Sequence, residues 1–157
     1  MSTGLVVVAS TRAAAGIYED RSGPIGVDFL RRMGLDTPEP LVVADADIPA
    51  TLRRILADPP TVLLTSGGTG VTDDDRTVDA VAPFLVRELP GIVQAFWSRG
   101  QESTPLAILS RAVAGMTAQG TFVMTLPGST GGVQDGCAVL EPILPHLLLQ
   151  LEGNHEH

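Results

Sequence analysis

Residues 61–70 read Thr-Val-Leu-Leu-Thr-Ser-Gly-Gly-Thr-Gly. The first half, residues 61–65, is a short run of apolar and β-branched side chains, which predicts a buried strand. The strand runs directly into a loop that holds three glycines within four residues, 67–70. Glycine allows positive φ and a close approach of the backbone to a ligand, and amides that point into one concavity bind anions without lysine. We therefore interpret the loop as a cradle for a phosphate or a pterin, with a tight turn as the alternative.

Strands and helices alternate on both sides of this stretch. The apolar patterns predict further strands over residues 5–9, within 40–44, and over 112–115 and 121–126. They predict helices over residues 23–33, from Asp47 to 57, and over 76–89, 92–99 and 132–151. Such alternation indicates an α/β domain layered around a mostly parallel sheet. We expect a single domain over residues 1–152 and a flexible tail over residues 153–157.

N-cap residues and prolines refine the helix predictions. Ser22, Asp47 and Asp75 stand where helices begin and are predicted to cap them. Prolines inside the helical patterns predict a kink or a division near residue 83 and a bend near residues 142–145.

The composition excludes several classes of function. Eighteen acidic side chains stand against ten basic ones, all of them arginine, and the net charge is −8. This balance disfavours a nucleic-acid partner. The absence of lysine excludes a Walker A loop, a Schiff-base lysine and an adenylated lysine. The single cysteine, Cys137, excludes an internal disulfide and lies on an apolar helical stripe that predicts core packing. Lacking a signal peptide and a long apolar run, the chain is expected to be cytoplasmic, with no membrane partner.

Polar residues follow the other predicted strands, where ligands bind in parallel α/β sheets. Asp45 lies at the end of the second strand, in a position that by itself suggests only a solvated side chain. Asp75 follows the glycine loop, and a carboxylate beside an anion site can hold Mg²⁺ as well as cap a helix. Further candidates for contacts to a polar ligand are Ser110 with Arg111, and Pro127, Gly128 and Ser129, although Pro-Gly-Ser before a helix is also an ordinary turn and cap.

Several segments taken together resemble a known family. They are residues 66–70, Asp75-Arg76-Thr77, Glu88-Leu89-Pro90-Gly91, Leu109-Ser110-Arg111 and Leu126-Pro127-Gly128-Ser129. In this order they are similar to the molybdenum cofactor biosynthesis proteins of the MogA/MoaB type, to which the G domain of gephyrin belongs. The resemblance covers residues 5–151 and implies a three-layer α/β/α sandwich.

The resemblance also implies an activity and a site. Such proteins are molybdopterin adenylyltransferases, which transfer AMP from ATP to the terminal phosphate of molybdopterin and release pyrophosphate. The two functional aspartates of the family map onto Asp45 and Asp75, which are expected to be catalytic and to hold Mg²⁺. Ser10, Gly67, Gly68, Thr69, Gly70, Ser110, Pro127, Gly128 and Ser129 are expected to contact the substrates. The resemblance further implies a homotrimer and a molybdenum insertase as the downstream partner.

Two alternatives stay open. Many relatives carry a lysine after the Pro-Gly-Ser segment, where this chain has Gly131, and the MoaB branch shares the structure without an established adenylyltransferase activity. The first alternative is therefore a non-catalytic carrier or scaffold. The second is an α/β nucleotide-binding module unrelated to molybdenum. The intact Asp45 and Asp75 and the loop at residues 18–20 favour the active MogA side.

Overall fold

The computed structural model describes residues 2–153. Its strands are β1 (Gly4–Ala9), β2 (Leu41–Val43), β3 (Val62–Ser66), β4 (Leu85–Glu88), β5 (Ala114–Thr117) and β6 (Phe122–Leu126). Its α-helices are α1 (Thr11–Ala14), α2 (Ser22–Arg32), α3 (Ile48–Ala57), α4 (Thr77–Val81), α5 (Pro90–Gln101), α6 (Thr130–Leu140) and α7 (Leu144–Leu151). Short 3₁₀ helices cover Asp45–Asp47, Ala82–Phe84 and Pro105–Leu109.

The strands form one sheet in the order β2-β1-β3-β6-β5-β4. The first four strands of this order are parallel to one another, and β5 and β4 run antiparallel to their neighbours. The mostly parallel sheet predicted from the sequence is therefore confirmed. The carboxyl ends of β1, β2, β3 and β6 meet at one edge, here called the carboxyl edge. Because β5 runs the opposite way, the residues that precede β5 lie at the same edge.

Helices cover both faces of the sheet. Val6 and Val8 of β1 join an apolar cluster with α2, α5, α6 and the start of α7, whereas Val7 and Ala9 join a second cluster with α3 and α4. This alternation is the period of two expected of a strand that is buried on both faces. It confirms the three-layer sandwich. Cys137 is buried in the first cluster, as its apolar stripe predicted.

The helix predicted over residues 76–89 is divided near Pro83, as the proline predicted, but the prediction that its second half is helical is wrong. Helix α4 ends at Val81, the 3₁₀ helix around Pro83 follows, and residues 85–88 form the edge strand β4. Proline disrupts the helical hydrogen-bond ladder, and β4 then pairs with β5. At Gly115 of β5 a Cβ atom would lie 2.3 Å from the carbonyl oxygen of Arg87, so the two strands approach closely only because residue 115 is glycine.

The predicted helix over residues 132–151 is divided in two. Pro142 lies between α6 and α7, and Pro145 occupies the first turn of α7, where its missing amide costs no helical hydrogen bond. The predicted tail begins at Gly153, and residues 154–157 lie outside the described residues. No helix within residues 2–153 combines the length and apolar composition that a membrane span requires.

The predicted caps at Ser22 and Asp47 are wrong. Ser22 is the first residue of α2 and not its cap, and it is the Asp20 carboxylate that accepts a hydrogen bond from the Gly23 amide, at 3.0 Å. Asp47 stands at the N-cap of α3 but makes no capping bond with its side chain. The preceding 3₁₀ turn places Asp47 in a helical conformation, whereas a capping side chain usually requires an extended one.

Candidate functional site

The glycine loop lies at the carboxyl edge, directly after β3. Gly67 and Gly68 both have positive φ, +93° and +72°. A Cβ atom on Gly67 would lie 2.4 Å from the carbonyl oxygen of Ala9 at the end of β1, and the Gly67 amide donates to the carbonyl of Leu126 at the end of β6, at 2.9 Å. Gly67 is therefore fixed between the two neighbouring strands, and its amide is used within the protein.

The next two amides of the loop differ from that of Gly67. Within residues 2–153, the amides of Gly68 and Thr69 have no hydrogen-bond acceptor. The Thr69 side chain is buried, and its hydroxyl accepts a hydrogen bond from the Ser110 hydroxyl at 3.2 Å. The Ser110 carbonyl in turn accepts from the indole nitrogen of Trp97 at 3.0 Å. The structure thus brings together two of the predicted site residues, Thr69 and Ser110.

Asp75 faces the glycine loop instead of capping α4. Its Oδ2 atom accepts hydrogen bonds from the amide and the hydroxyl of Thr72, at 3.0 and 2.8 Å. A Cβ atom on Gly70 would lie 2.6 Å from the same oxygen, so the carboxylate is in contact with the loop. The predicted cap at Asp75 is wrong, since Arg76 occupies the N-cap position of α4.

The surroundings of Asp75 favour its charged form. Partial burial by itself raises the pKa of this carboxyl group, but the two hydrogen bonds from Thr72, the amide of Gly70 and the charge of Arg111 together bring the pKa below its ordinary value. Asp75 is therefore ionised at neutral pH. Neither bond from Thr72 goes to Oδ1.

Arg111 connects the loop to the turn that carries Asp75. Its Nε atom donates to the Gly70 carbonyl at 2.7 Å, and its Nη2 atom donates to the Asp75 carbonyl at 3.2 Å. Its Nη1 and Nη2 atoms also bind the carboxylate of Asp79, at 3.2 and 3.4 Å, and its amide donates to the Thr69 carbonyl at 2.9 Å. From the sequence, Arg111 was expected to contact a ligand. The structure directs its side chain to the protein's own loops.

Asp45 lies at the carboxyl edge but apart from the glycine loop. The Thr11 hydroxyl donates to its Oδ2 atom at 3.0 Å and accepts from its amide at 3.1 Å. Strand β1 separates β2 from β3, and since neighbouring strands are about 4.8 Å apart, β2 and β3 are roughly 10 Å apart. Asp45 and Asp75 share no hydrogen-bond partner within the described residues, so each is positioned by its own threonine.

Two cavities at the carboxyl edge divide the remaining predicted residues. The glycine-loop cavity has a volume of about 480 Å³ and is lined by Thr69, Gly70, Ser110, Pro127 and Ser129, with Phe96, Leu106 and Leu109 among its apolar residues. The Ser10 cavity has a volume of about 380 Å³ and is lined by Ser10, Gly128 and Ser129, with Tyr18, Asp20 and Arg21. Ser129 borders both cavities, and its hydroxyl caps α6 by accepting from the Gly132 amide at 3.0 Å.

A hydrogen-bond network that no sequence motif predicted joins the walls of these cavities. The hydroxyls of Ser22 and Ser66 lie 2.9 Å apart, and Ser66 donates to the Pro127 carbonyl at 3.1 Å. The Ser22 hydroxyl also lies 3.3 Å from the Asp20 carboxylate, so its single proton is donated either to Asp20 or to Ser66. The only signal in the sequence was the position of Ser66 at a strand end and of Ser22 in the first loop.

The charges around the cavities are few. Among the described residues, Asp135 is the one charged residue that lines the glycine-loop cavity, and Arg99 pairs with this carboxylate at 3.3 Å. Arg21 is the only basic residue in the described part of the chain that lines the Ser10 cavity. Within residues 2–153, no three histidine, cysteine, aspartate or glutamate side chains come close enough to bind a metal ion on their own.

The mostly parallel sheet thus carries a glycine loop, an ionised aspartate and two cavities at one edge. Residues 5–146 match the family model described as "Probable molybdopterin binding domain". The chain belongs to this family, within the molybdenum cofactor biosynthesis proteins of the MogA/MoaB type.

Several individual relatives are similar to this chain over most of its length. The solved structure of the molybdopterin biosynthesis Mog protein from Mycobacterium ulcerans is 36% identical, with a TM-score of 0.88 over 96% of this chain and 99% of that one. The molybdenum cofactor biosynthesis bifunctional protein of Synechococcus elongatus is 38% identical over 94% of this chain and 47% of its own length, so this chain spans about half of that relative. The molybdopterin adenylyltransferase of Pyrococcus furiosus is 29% identical over 91% of this chain and 87% of its own length.

Proposed function

We propose that this chain is a molybdopterin adenylyltransferase, which transfers AMP from ATP to the terminal phosphate of molybdopterin and releases pyrophosphate. The observation that carries the proposal is the contact between the Asp75 carboxylate and Gly70, a residue that lines the glycine-loop cavity. An ionised carboxylate thus stands beside a cavity, where it could hold a cation next to substrate phosphates. The name of the Pyrococcus relative supports the same activity.

The chemistry needs positioning and charge balance more than proton transfer. An oxygen of the terminal phosphate of molybdopterin forms a bond to the α-phosphorus of ATP, and the bond from that phosphorus to the bridging oxygen breaks, so that pyrophosphate leaves with the electron pair. Because the attacking phosphate is already ionised, no side chain has to accept its proton. Catalysis of such a transfer rests on holding the groups in line and stabilising the added charge.

The glycine-loop cavity has the parts to hold a flat, polar ligand. Thr69 and Ser129 both line this cavity, and the Thr69 amide and the Ser129 hydroxyl can donate to phosphate or to a heterocycle. Phe96, Leu106 and Leu109 provide apolar surface for a ring. The Ser10 cavity shares Ser129 with it and adds Arg21, which suits the second anionic substrate. Two substrates bound in adjoining cavities could meet near Ser129.

The acidic residues fit Mg²⁺ together with a nucleotide. Mg²⁺ is usually held by one or two carboxylates and by substrate phosphates instead of an all-protein cage. Asp75, ionised and against the loop, would supply one carboxylate, and Asp45 would supply another or orient molybdopterin. When bound, the ion would neutralise charge on the triphosphate. Asp75 remains the residue on which transfer most depends, because it alone of the two contacts the loop.

The proposal is tested by incubating the purified chain with molybdopterin, ATP and Mg²⁺. Adenylylated molybdopterin and an equal amount of pyrophosphate are expected. Asp75→Ala should abolish both products while circular dichroism remains that of the wild type. Wild-type turnover in Asp75→Ala would refute the role of this residue. Asp45→Ala should also lose transfer, and if it loses only thermal stability, then Asp45 is structural.

A second candidate is a carrier that binds molybdopterin without transferring AMP. The scarcity of basic residues favours it, because Arg21 is the only one among residues 2–153 that lines either cavity. Binding of molybdopterin with no release of pyrophosphate from ATP would support the carrier.

We also propose that the chain forms a homotrimer, which light scattering would measure. We further propose a cytoplasmic location and a molybdenum insertase as the downstream partner.

A further inference from the structure

We propose that Arg111 is a positioning residue for adenylyl transfer. It fixes the position of the glycine loop relative to the turn at residues 72–75, here called the Asp75 turn. The inference rests on the proposed function. It goes beyond the predicted role of this segment, since Arg111 acts through Gly70 and Asp75 and not through the substrate.

The geometry of the guanidinium supports this role. All three of its nitrogens are engaged: Nε by the Gly70 carbonyl, Nη2 by the carbonyl of Asp75, and Nη1 with Nη2 by the carboxylate of Asp79. These acceptors belong to the loop, to the following turn and to α4. A planar fork reaches these separate acceptors from three nitrogens in fixed directions, whereas the three donors of an ammonium group all radiate from one atom.

An ordinary surface ion pair would have a different pattern. The Arg111 side chain is partly exposed and that of Asp79 is exposed, and exposed ion pairs contribute little to stability. The shortest bond of Arg111, at 2.7 Å, goes to the backbone carbonyl of Gly70. Gly70 lines the glycine-loop cavity and also contacts the Asp75 carboxylate. The bonds therefore converge on the contact that the proposed reaction uses.

The expected consequence is a loss of turnover with the fold intact. Displacing reacting groups by about 1 Å can cost about 100-fold in rate. We expect Arg111→Gln to lower kcat about 100-fold, with a smaller change in KM for either substrate. Arg111→Lys keeps the charge and one donor direction, so it should restore part of kcat. Asp79→Asn should have the smallest effect, because the bonds to the Gly70 and Asp75 carbonyls remain.

Arg31 provides a matched control. It also donates to a backbone carbonyl, that of Thr37 at 2.9 Å, and to a carboxylate, that of Glu39 at 3.2 Å. Thr37 lies beside Gly4, at the opposite edge of the sheet. Arg31→Gln should therefore leave kcat unchanged.

A second measurement separates positioning from general destabilisation. Hydrogen exchange followed by NMR reports on the Thr72 amide, which donates to the Asp75 carboxylate, and on the Asp75 amide, which donates to the Thr72 carbonyl at 3.0 Å. Arg111→Gln should speed exchange at these two amides and leave the amides of β3 and β6 unchanged.

The outcomes are distinct. Unchanged kcat in Arg111→Gln overturns the proposal, and so does a loss of kcat accompanied by faster exchange throughout β3 and β6, which indicates a structural role. Full rescue by Arg111→Lys would contradict the need for a fork. If the wild type forms no adenylylated product, the proposed function fails independently. Affinity for molybdopterin then replaces kcat: weaker binding by Arg111→Gln with local exchange supports positioning of the loop, and unchanged binding overturns it.

Discussion

Replacing Gly67 by alanine tests whether the loop is fixed by its two neighbouring strands. Gly67 has a φ of +93°, and an added Cβ would lie 2.4 Å from the carbonyl oxygen of Ala9. No real Cβ contact is that short, and the atom in the way is backbone in a central strand, which cannot rotate aside. The substitution must therefore displace either β1 or the loop.

The size of the effect follows from two contributions. Left-handed backbone costs alanine about 1–2 kcal/mol relative to glycine. Forcing extra volume into a close-packed site costs about 1–3 kcal/mol more. We therefore expect Gly67→Ala to lower the free energy of unfolding by about 2–5 kcal/mol.

Gly120 separates the two contributions. It has a similar φ of +87°, in the turn between β5 and β6, but a Cβ atom there would meet nothing within 4 Å. Gly120→Ala should cost only the backbone penalty, about 1–2 kcal/mol.

Urea denaturation of the wild type and both variants at 25 °C measures the three free energies of unfolding. The difference between Gly67→Ala and Gly120→Ala isolates the contact with β1, at about 1–3 kcal/mol. Equal destabilisation by the two substitutions would refute the reasoning, because the close approach to Ala9 would then contribute nothing.

Two further predictions concern ionisable groups. Thr72→Val removes the hydroxyl that donates to Asp75 at 2.8 Å, so the pKa of Asp75 should rise toward its ordinary value, as an NMR titration of its carboxyl carbon would show. A carboxyl group whose pKa is lower in the folded state stabilises that state at any pH above its unfolded pKa. The wild type should therefore be more stable than Thr72→Val at pH 7, and the difference in stability should vanish as the pH falls through the folded pKa of Asp75. A difference in stability that persists at low pH would contradict this cause. Burial raises the pKa of the Cys137 thiol to about 11, so a disulfide reagent at pH 8 should modify Cys137 rapidly only in denaturant, and rapid modification of the folded chain would show that the thiol is accessible.

The sequence predicted the central strands well because each is a short apolar run bounded by turn residues. It failed at β4, where the strand depends on pairing with β5 and on the absence of a side chain at Gly115, neither of which is visible in residues 85–88. It also failed at the caps. Whether Asp75 faces α4 or Thr72 is decided by the path of the turn at residues 72–75, and both arrangements suit an aspartate before a helix.

The location of Arg111 could have been predicted from the sequence, although not its bonds. Five residues separate the predicted strands at 112–115 and 121–126, and a parallel connection needs a dozen residues or more. The two strands must therefore be antiparallel, so that the start of the first lies beside the end of the second. Since residues 121–126 end in the Pro-Gly-Ser turn at the carboxyl edge, residue 111 had to lie at that edge as well. The bonds themselves depend on the paths of the loop and the Asp75 turn, which only the folded backbone specifies. The short hairpin is thus the reason that a residue more than 35 positions away from Asp75 along the chain can hold it in place.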